Sequence, residues 1–120
     1  MSDQLRPPGE TTVSPEVLID IVRLATLSVS GVHAIAPVPG GVNRIFTKGG
    51  NEGVQLSIAA NTVSATVYVI LENSYEVSPV AHAIIQKVGR AISEMVGMEI
   101  GNVDVHIEDI VVQSGKEFKQ

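Results

Sequence analysis

The clearest pattern in the chain is an alternation of apolar and polar residues between positions 54 and 71. Apolar side chains occupy every second position of 54–60 and again of 63–71. Because successive side chains of a strand point to opposite faces, this period of two predicts two strands that each bury one face. Asn61-Thr62 separates them, so the segment is predicted to be an antiparallel hairpin with its turn at these two residues.

Two further segments, 15–30 and 79–96, carry apolar residues at helical spacing, and each begins with Pro preceded by Ser. Ser is a favoured N-cap and Pro suits the first helical position, so two helices are predicted with these bounds. The glycines that follow them, Gly31 and Gly97, suit the left-handed conformation that often ends a helix. Gly89 lies inside the second helix at a cost of about 1 kcal/mol relative to Ala, and close approach of a neighbour is one explanation.

The alternation returns at 103–112, which predicts a third strand, whereas 32–36 is either a short strand or an extended segment. The order α-β-β-α-β predicts a single α+β domain, a three-stranded sheet with both helices on one face. This domain is expected to span 13–112. A flexible arm is expected at 1–12 and a flexible tail at 113–120.

The sheet face turned away from the helices is expected to be polar. The alternation assigns to it Gln55, Ser57, Ser64, Thr66, Tyr68, Asp104, His106 and Glu108. An uncovered face with free strand edges can bind a second chain. Antiparallel sheets also tolerate water on one face, so the pattern alone leaves a monomer equally open.

Composition narrows the function classes. The chain has 120 residues, is 44% apolar but only 3% aromatic, carries a net charge of −5, and contains no Cys. The core must therefore be aliphatic, and disulfides, thiolate metal sites and Cys nucleophiles are excluded. The acidic balance disfavours binding to nucleic acid. The longest apolar run, 67–71, is far too short to span a membrane, and residues 1–10 do not resemble a signal peptide, so we expect a cytoplasmic protein.

Asp104, His106 and Glu108 form the most specific candidate site. At positions i, i+2 and i+4 of a strand they are expected to share one face, where carboxylate and imidazole groups can bind a divalent metal. An ordinary solvent-facing strand gives the same pattern. We favour this second interpretation and assign no metal ligands.

The segment 37–53 is rich in Gly and Pro and contains Arg44, Phe46 and Lys48. Gly-rich loops bind phosphate where a helix N-terminus follows, but here a strand follows, so a flexible loop is favoured. Phe46 is interpreted as a lid over the core, with a docking anchor as the alternative.

The basic residues and the histidines give little support to nucleic-acid binding or to catalysis. Lys87 and Arg90 share a helical face with Glu94, which predicts a solvated surface with an i, i+4 ion pair rather than a nucleic-acid site. No nucleophile motif such as G-x-S-x-G occurs. The histidines fall in three different elements: His33, His82 and His106. We therefore expect no enzyme, no catalytic residues and no cofactor.

Several segments, in order and spacing, resemble the alkaline-shock-protein family of bacterial envelope-stress proteins across residues 9–112. They are 13–32 with its Ser-Gly-Val end, 52–54, 63–71 with Tyr68, 80–81, 86–88, Met95-Val96-Gly97, and the Val-Asp-Val-His-Ile strand at 103–107. Asn73-Ser74, Val96 and Asp104 depart from the family's usual residues and leave the subgroup open.

The resemblance implies a non-enzymatic protein that self-associates and docks on a partner in envelope-stress homeostasis. Some relatives are held near the membrane by a separate anchor protein, which implies a membrane-associated location without direct insertion. Other relatives are linked to acyl-lipid synthesis and acetyl-CoA carboxylation. A regulatory partner of a metabolic enzyme in those pathways is therefore the alternative hypothesis. No binding residues are carried over from the family.

Overall fold

The computed structural model describes residue 9, residues 12–37 and residues 53–112. These residues form two helices and four strands. In chain order they are α1 (Pro15–Leu27), β1 (Val32–Ile35), β2 (Val54–Ala59), β3 (Thr62–Glu72), α2 (Val77–Ala91) and β4 (Glu99–Val111). A π-helical turn, Ile92–Val96, continues α2. The flexible tail and nearly all of the flexible arm lie outside the described residues, so those two interpretations stay predictions.

The sheet is built around β3. β4 runs parallel to β3 along one edge, and α2 is the crossover that joins them. On the other edge, β2 pairs antiparallel with one half of β3 and β1 pairs antiparallel with the other half. The α+β class is confirmed, but the described sheet has four strands rather than three. The additional strand is the segment that the sequence left open as a strand or an extended stretch.

Both helices pack on one face of the sheet, as predicted. β3 contributes a side chain from every second position to the core, and each helix contributes residues four apart. These residues are 0–5% exposed: Val63, Ala65, Val67, Val69 and Leu71 from β3, Leu18, Val22 and Thr26 from α1, and Val80, Ile84 and Val88 from α2. Thr26 satisfies its buried hydroxyl by donating a hydrogen bond to the Val22 carbonyl at 2.8 Å. The core is aliphatic, as the composition required.

Two of the predicted helix ends are correct and two are wrong. The second helix ends as predicted, because the π-helical turn that continues α2 ends at Val96 and Gly97 adopts a left-handed φ of 79°. α1 begins at Pro15 as predicted but ends at Leu27 rather than residue 30, because the chain turns there to bury Val29. α2 begins at Val77, two residues before Pro79, with Glu76 at the N-cap position. Proline is tolerated throughout the first helical turn, where the N–H groups have no intrahelical partner, so it does not mark the first residue uniquely.

The strand boundaries also shift. Ala59 pairs with Thr62, so the hairpin turn is Ala60-Asn61, one residue earlier than predicted. Ala60 adopts a positive φ of 56°, which few non-glycine residues do. The turn propensities of the amino acids would therefore not have predicted Ala at this position of the turn. β4 begins at Glu99 rather than residue 103, because it pairs with β3 along the whole length of that strand.

Candidate functional site

The face of the sheet opposite the helices is the main candidate surface. The β3 side chains on this side are half-buried, in strict alternation with the fully buried side chains of the core. We call the surface the open face and define it by Gln55, Ser57, Ser64, Thr66, Tyr68, Asp104 and His106. All seven residues were predicted to lie there. Ile70 and Asp109, which lie opposite each other in the register, extend the open face toward one end.

Tyr68 and His106 form the centre of the open face. They are cross-strand partners in the parallel β3–β4 pair, and their rings stack with centroids 5.0 Å apart and planes inclined by 14°. The Tyr68 hydroxyl lies 3.3 Å from Gln55 Oε1 on β2, to which it donates a hydrogen bond. One side chain therefore connects three strands, and its polar group is satisfied within the surface rather than directed into a cleft.

A second contact ties the start of β4 to β3 on the same face. The Asn102 backbone N–H donates a hydrogen bond to Ser64 Oγ at 3.2 Å. A Cβ at Gly101 would lie 2.5 Å from the same oxygen, so only glycine fits there without displacing Ser64. Ser57 lies opposite Ser64 on β2, which continues the row of small polar residues across the sheet.

The prediction that Asp104, His106 and Glu108 share one face of the strand is wrong for Glu108. Ile107 pairs with Val69 and Asp109 pairs with Ile70, so Glu108 is an extra residue at a β-bulge. Asp109 therefore takes the place on the open face that alternation assigned to Glu108. Within the described part of the chain, no three His, Cys, Asp or Glu residues lie close enough together to hold a metal ion.

The three histidines lie in three elements, β1, α2 and β4, as predicted. His33 Nδ1 lies 3.8 Å from Glu72 Oε2 at the far end of β3. His82 is on the exposed side of α2, with Nδ1 3.3 Å from the Ser78 carbonyl oxygen. The fold does not bring these rings together, so they do not form a shared site.

The outer side of α2 carries the predicted ion pair. Arg90 Nε lies 3.6 Å from Glu94 Oε2, and both side chains are more than two-thirds exposed, so the pair contributes little to stability. A shallow groove of about 530 Å³ runs beside them, lined by Ile85, Gln86, Gly89, Arg90, Ser93 and Ile100. A Cβ at Gly89 would meet only Ile100 Cγ2, at an ordinary 3.9 Å. Close approach of a neighbour therefore does not explain this glycine.

The Gly-rich segment with Arg44, Phe46 and Lys48 lies outside the described residues. Its interpretation as a flexible loop, and that of Phe46 as a core lid, stay predictions. Among the residues that are described, no helix is long and apolar enough to cross a membrane.

The outer edge of β4 is a second candidate surface. In the described sheet β4 pairs on one side only, with β3, so its other edge is unpaired along 13 residues. Natural sheets commonly protect such edges with charged side chains, especially Lys, with Pro or with β-bulges. β4 contains neither Lys nor Pro, although it carries acidic residues and two bulges, and Ile110 near its end is 48% exposed. A long edge without Lys or Pro is where another strand can add to a sheet.

The fold is a single sheet covered on one face by two helices, and none of its described grooves is a deep cleft. These features define a small α+β module and do not point to a particular activity. Its sequence assigns it more closely: the chain belongs to the alkaline shock protein 23 family, described as having a cell envelope-related function, whose sequence pattern matches residues 4–112. The resemblance to the alkaline-shock-protein family is thereby confirmed.

Two curated relatives are uncharacterized proteins. Spy1535 of Streptococcus pyogenes serotype M6 is 33% identical over 107 residues, which are 88% of this chain and 81% of that protein. YloU of Bacillus subtilis is 24% identical over 117 residues, which are 93% of this chain and 98% of that protein. The similarity therefore extends over nearly the whole chain in both cases.

Solved structures of the MamM CTD share the fold. A substituted form has a TM-score of 0.50 at 16% identity and covers 78% of this chain and 94% of that one. A copper form of another variant has a TM-score of 0.51 at 16% identity and covers 80% and 98%. At this identity the likeness extends to the fold alone.

Proposed function

We propose that this protein is a non-enzymatic interaction protein of the cell envelope, which binds a second copy of itself and docks on a membrane-anchor protein. The family description supports the envelope-related role. The observation that carries the interaction role is the one-sided sheet, whose helices cover one face and leave the open face and the edge of β4 available.

The chemistry of the open face supports protein binding over catalysis. Tyr68 contacts Gln55 on one side and His106 on the other across the surface of the sheet, and Ser64 accepts a hydrogen bond from the backbone of the neighbouring strand. Sites for small molecules are concave and enclose most of the ligand. A flat surface with a central aromatic residue and a polar surround is typical of contacts between proteins. The net charge of −5 disfavours a nucleic-acid partner.

Sedimentation velocity on the full chain over a wide concentration range tests self-association. We expect the weight-average sedimentation coefficient to rise with concentration. Thr66→Arg places a bulky charge in the centre of the open face, and Gln86→Arg places the same charge on the exposed side of α2 as a control. Disruption by the first variant alone would assign the self-contact to the open face. Unchanged association in both variants would exclude the open face and leave the edge of β4 as the surface.

Affinity purification from detergent-solubilised membranes tests the partner. We expect to recover an integral membrane protein that still binds the chain when both are purified. Recovery of an acyl-lipid synthesis enzyme whose rate changes on binding would instead favour the alternative of a metabolic regulator. A strict monomer that binds neither class of purified partner would overturn the proposal.

A further inference from the structure

The sequence of β4 is self-complementary about Val105. When two copies of β4 run antiparallel with Val105 facing Val105, the residue before it faces the residue after it in the other copy. Asp104 then lies opposite His106 of the second copy, and His106 opposite Asp104 of the second copy. Opposite residues of an antiparallel pair lie about 5 Å apart at Cβ, close enough for carboxylate and imidazole groups to interact.

The same register matches apolar residues on the helix-covered face. Val103 lies opposite Ile107 of the second copy, and Ile100 lies opposite Ile110. In the β3–β4 register, Ile100 is the partner of Val63, Val103 of Ala65, Ile107 of Val69 and Ile110 of Leu71, so all four belong to the face that the helices cover. Pairing would bury Ile110, whose side chain is 48% exposed in the single chain.

The irregularities of β4 are also placed symmetrically. One extra residue occurs at Gly101-Asn102 and another at Glu108, on either side of a regular stretch centred on Val105. A Cβ at Gly101 would point at Ser64, so Asn102 is the extra residue of the first bulge, and in the Val105-centred register it faces Glu108 of the second copy. Each copy then has its extra residue opposite the extra residue of the other. The alternation of faces therefore stays matched beyond both bulges, which a single unpaired bulge would disrupt.

Neighbouring registers lack this match. Centring the pair on Asp104 places that carboxylate opposite itself, and centring it on His106 places Asp104 opposite Glu108. A register can also be centred between two residues. Such a register places the helix-covered face of one copy next to the open face of the other. Like charges directly opposite destabilise a pair of strands.

We propose that two copies of this chain associate along β4, antiparallel and centred on Val105, to form one continuous sheet with both helix layers on the same side. This inference rests on the self-association in the proposed function and identifies its surface and register. The occupant of the β4 edge is a second copy of this chain because the strand complements itself in its polar Asp104–His106 pairs, in apolar pattern and in the position of its bulges.

A cysteine scan tests the register, and the chain is suited to it because it contains no Cys. Val105→Cys would face its own copy across the two-fold axis, within the Cα separation of about 4.4–6.8 Å that a disulfide needs. We expect this variant to form a disulfide-linked dimer on mild oxidation. Val103→Cys is the matched control, because the two copies of that residue lie about 13 Å apart in this register. The double variant Val103→Cys with Ile107→Cys is expected to cross-link again.

A charge exchange provides an independent readout. His106→Glu places like charges opposite each other twice, and we expect roughly tenfold weaker association in sedimentation velocity. Asp104→Lys alone removes the carboxylate that faces His106 of the second copy and is also expected to weaken association. The double variant Asp104→Lys with His106→Glu places opposite charges across the pair and is expected to recover association. If His106→Glu weakened association only by breaking the Tyr68 stack, the double variant would not recover it.

The outcomes separate the two proposals. Dimers in solution without cross-linking of Val105→Cys would overturn this edge and register and leave self-association intact. Efficient cross-linking of Val103→Cys alone would indicate a different register and overturn this one. A chain that is monomeric at every concentration and forms no cross-links would overturn both proposals.

Discussion

The ring of Tyr68 stacks on the ring of His106, with centroids 5.0 Å apart, in the one parallel strand pair of the described sheet. The Tyr68 hydroxyl also donates a hydrogen bond to Gln55 on the opposite side of β3. Tyr68 thus joins β2, β3 and β4 on the face that lacks helices. This side chain gives the open face a fixed arrangement that a row of serine and threonine residues would not have.

Truncation of Tyr68 separates the contributions of the ring and of the hydroxyl. Tyr68→Ala removes the stack and is expected to destabilise the fold by about 1–3 kcal/mol. Tyr68→Phe keeps the ring and loses one long hydrogen bond, so we expect about 0.5 kcal/mol or less. Urea unfolding followed by circular dichroism measures both. Equal losses would mean that the hydroxyl, not the stack, supports the surface.

Gly31 and Gly97 form a matched pair for the effect of a side chain at positive φ. Their φ angles are 99° and 79°, but a Cβ at Gly31 would lie 2.8 Å from Tyr75 Cγ, whereas nothing lies within 4 Å at Gly97. Gly97→Ala is expected to cost about 1–2 kcal/mol for backbone strain. Gly31→Ala adds overpacking and is expected to cost about 1–3 kcal/mol more. Thermal unfolding of the two variants side by side checks the difference, and similar melting temperatures would contradict the steric term.

Gly89→Ala is expected to stabilise the protein. The added methyl group would make only ordinary contact with Ile100, and replacing Gly by Ala inside a helix gains about 0.5–1 kcal/mol. Gly101→Ala is the contrasting variant, because its Cβ would lie 2.5 Å from Ser64 Oγ, and it is expected to destabilise. The two changes should move the urea midpoint in opposite directions. A loss of stability in the first variant would show that the groove beside α2 is tighter than the structure indicates.

Neighbouring isoleucines of α2 test the placement of the core. Ile84 is 0% exposed and Ile85 is 38% exposed, so the same chemical change at successive positions samples both environments. Ile84→Ala is expected to cost about 2–5 kcal/mol, because it leaves a cavity in the core. Ile85→Ala is expected to cost under about 1 kcal/mol. Comparable losses measured by urea unfolding would require a rotation of the helix.

The alternation of β3 predicted the fold well because it is a local property. The β3 residues that the alternation assigned to the core are buried there, and those that it assigned to the open face, Tyr68 among them, lie on that face. Register, by contrast, depends on the partner strand. The parallel direction of β4, the bulge at Glu108 and the stack of Tyr68 on His106 all arise from pairing between strands distant in sequence.

Some errors nevertheless had a local signal. Glu108 and Asp109 are two consecutive polar residues followed by an apolar run, which breaks the period of two and is typical of a bulge. The start of α2 had a weaker local signal, because Ser78-Pro79 fits several positions of a first helical turn equally well. The sequence alone does not show that β4 complements itself along its whole length. This becomes apparent once the pairing with β3 has located its two bulges.

The central position of β3 has a consequence for how the chain reaches this structure. The β2–β3 hairpin closes through a two-residue turn, so it can form early, whereas β4 must wait for the whole of α2. During synthesis one edge of β3 therefore has no partner until residues 99–111 have left the ribosome. A nascent or truncated chain that stops before Glu99 exposes this Val-rich edge, and we expect it to aggregate or to be held by chaperones.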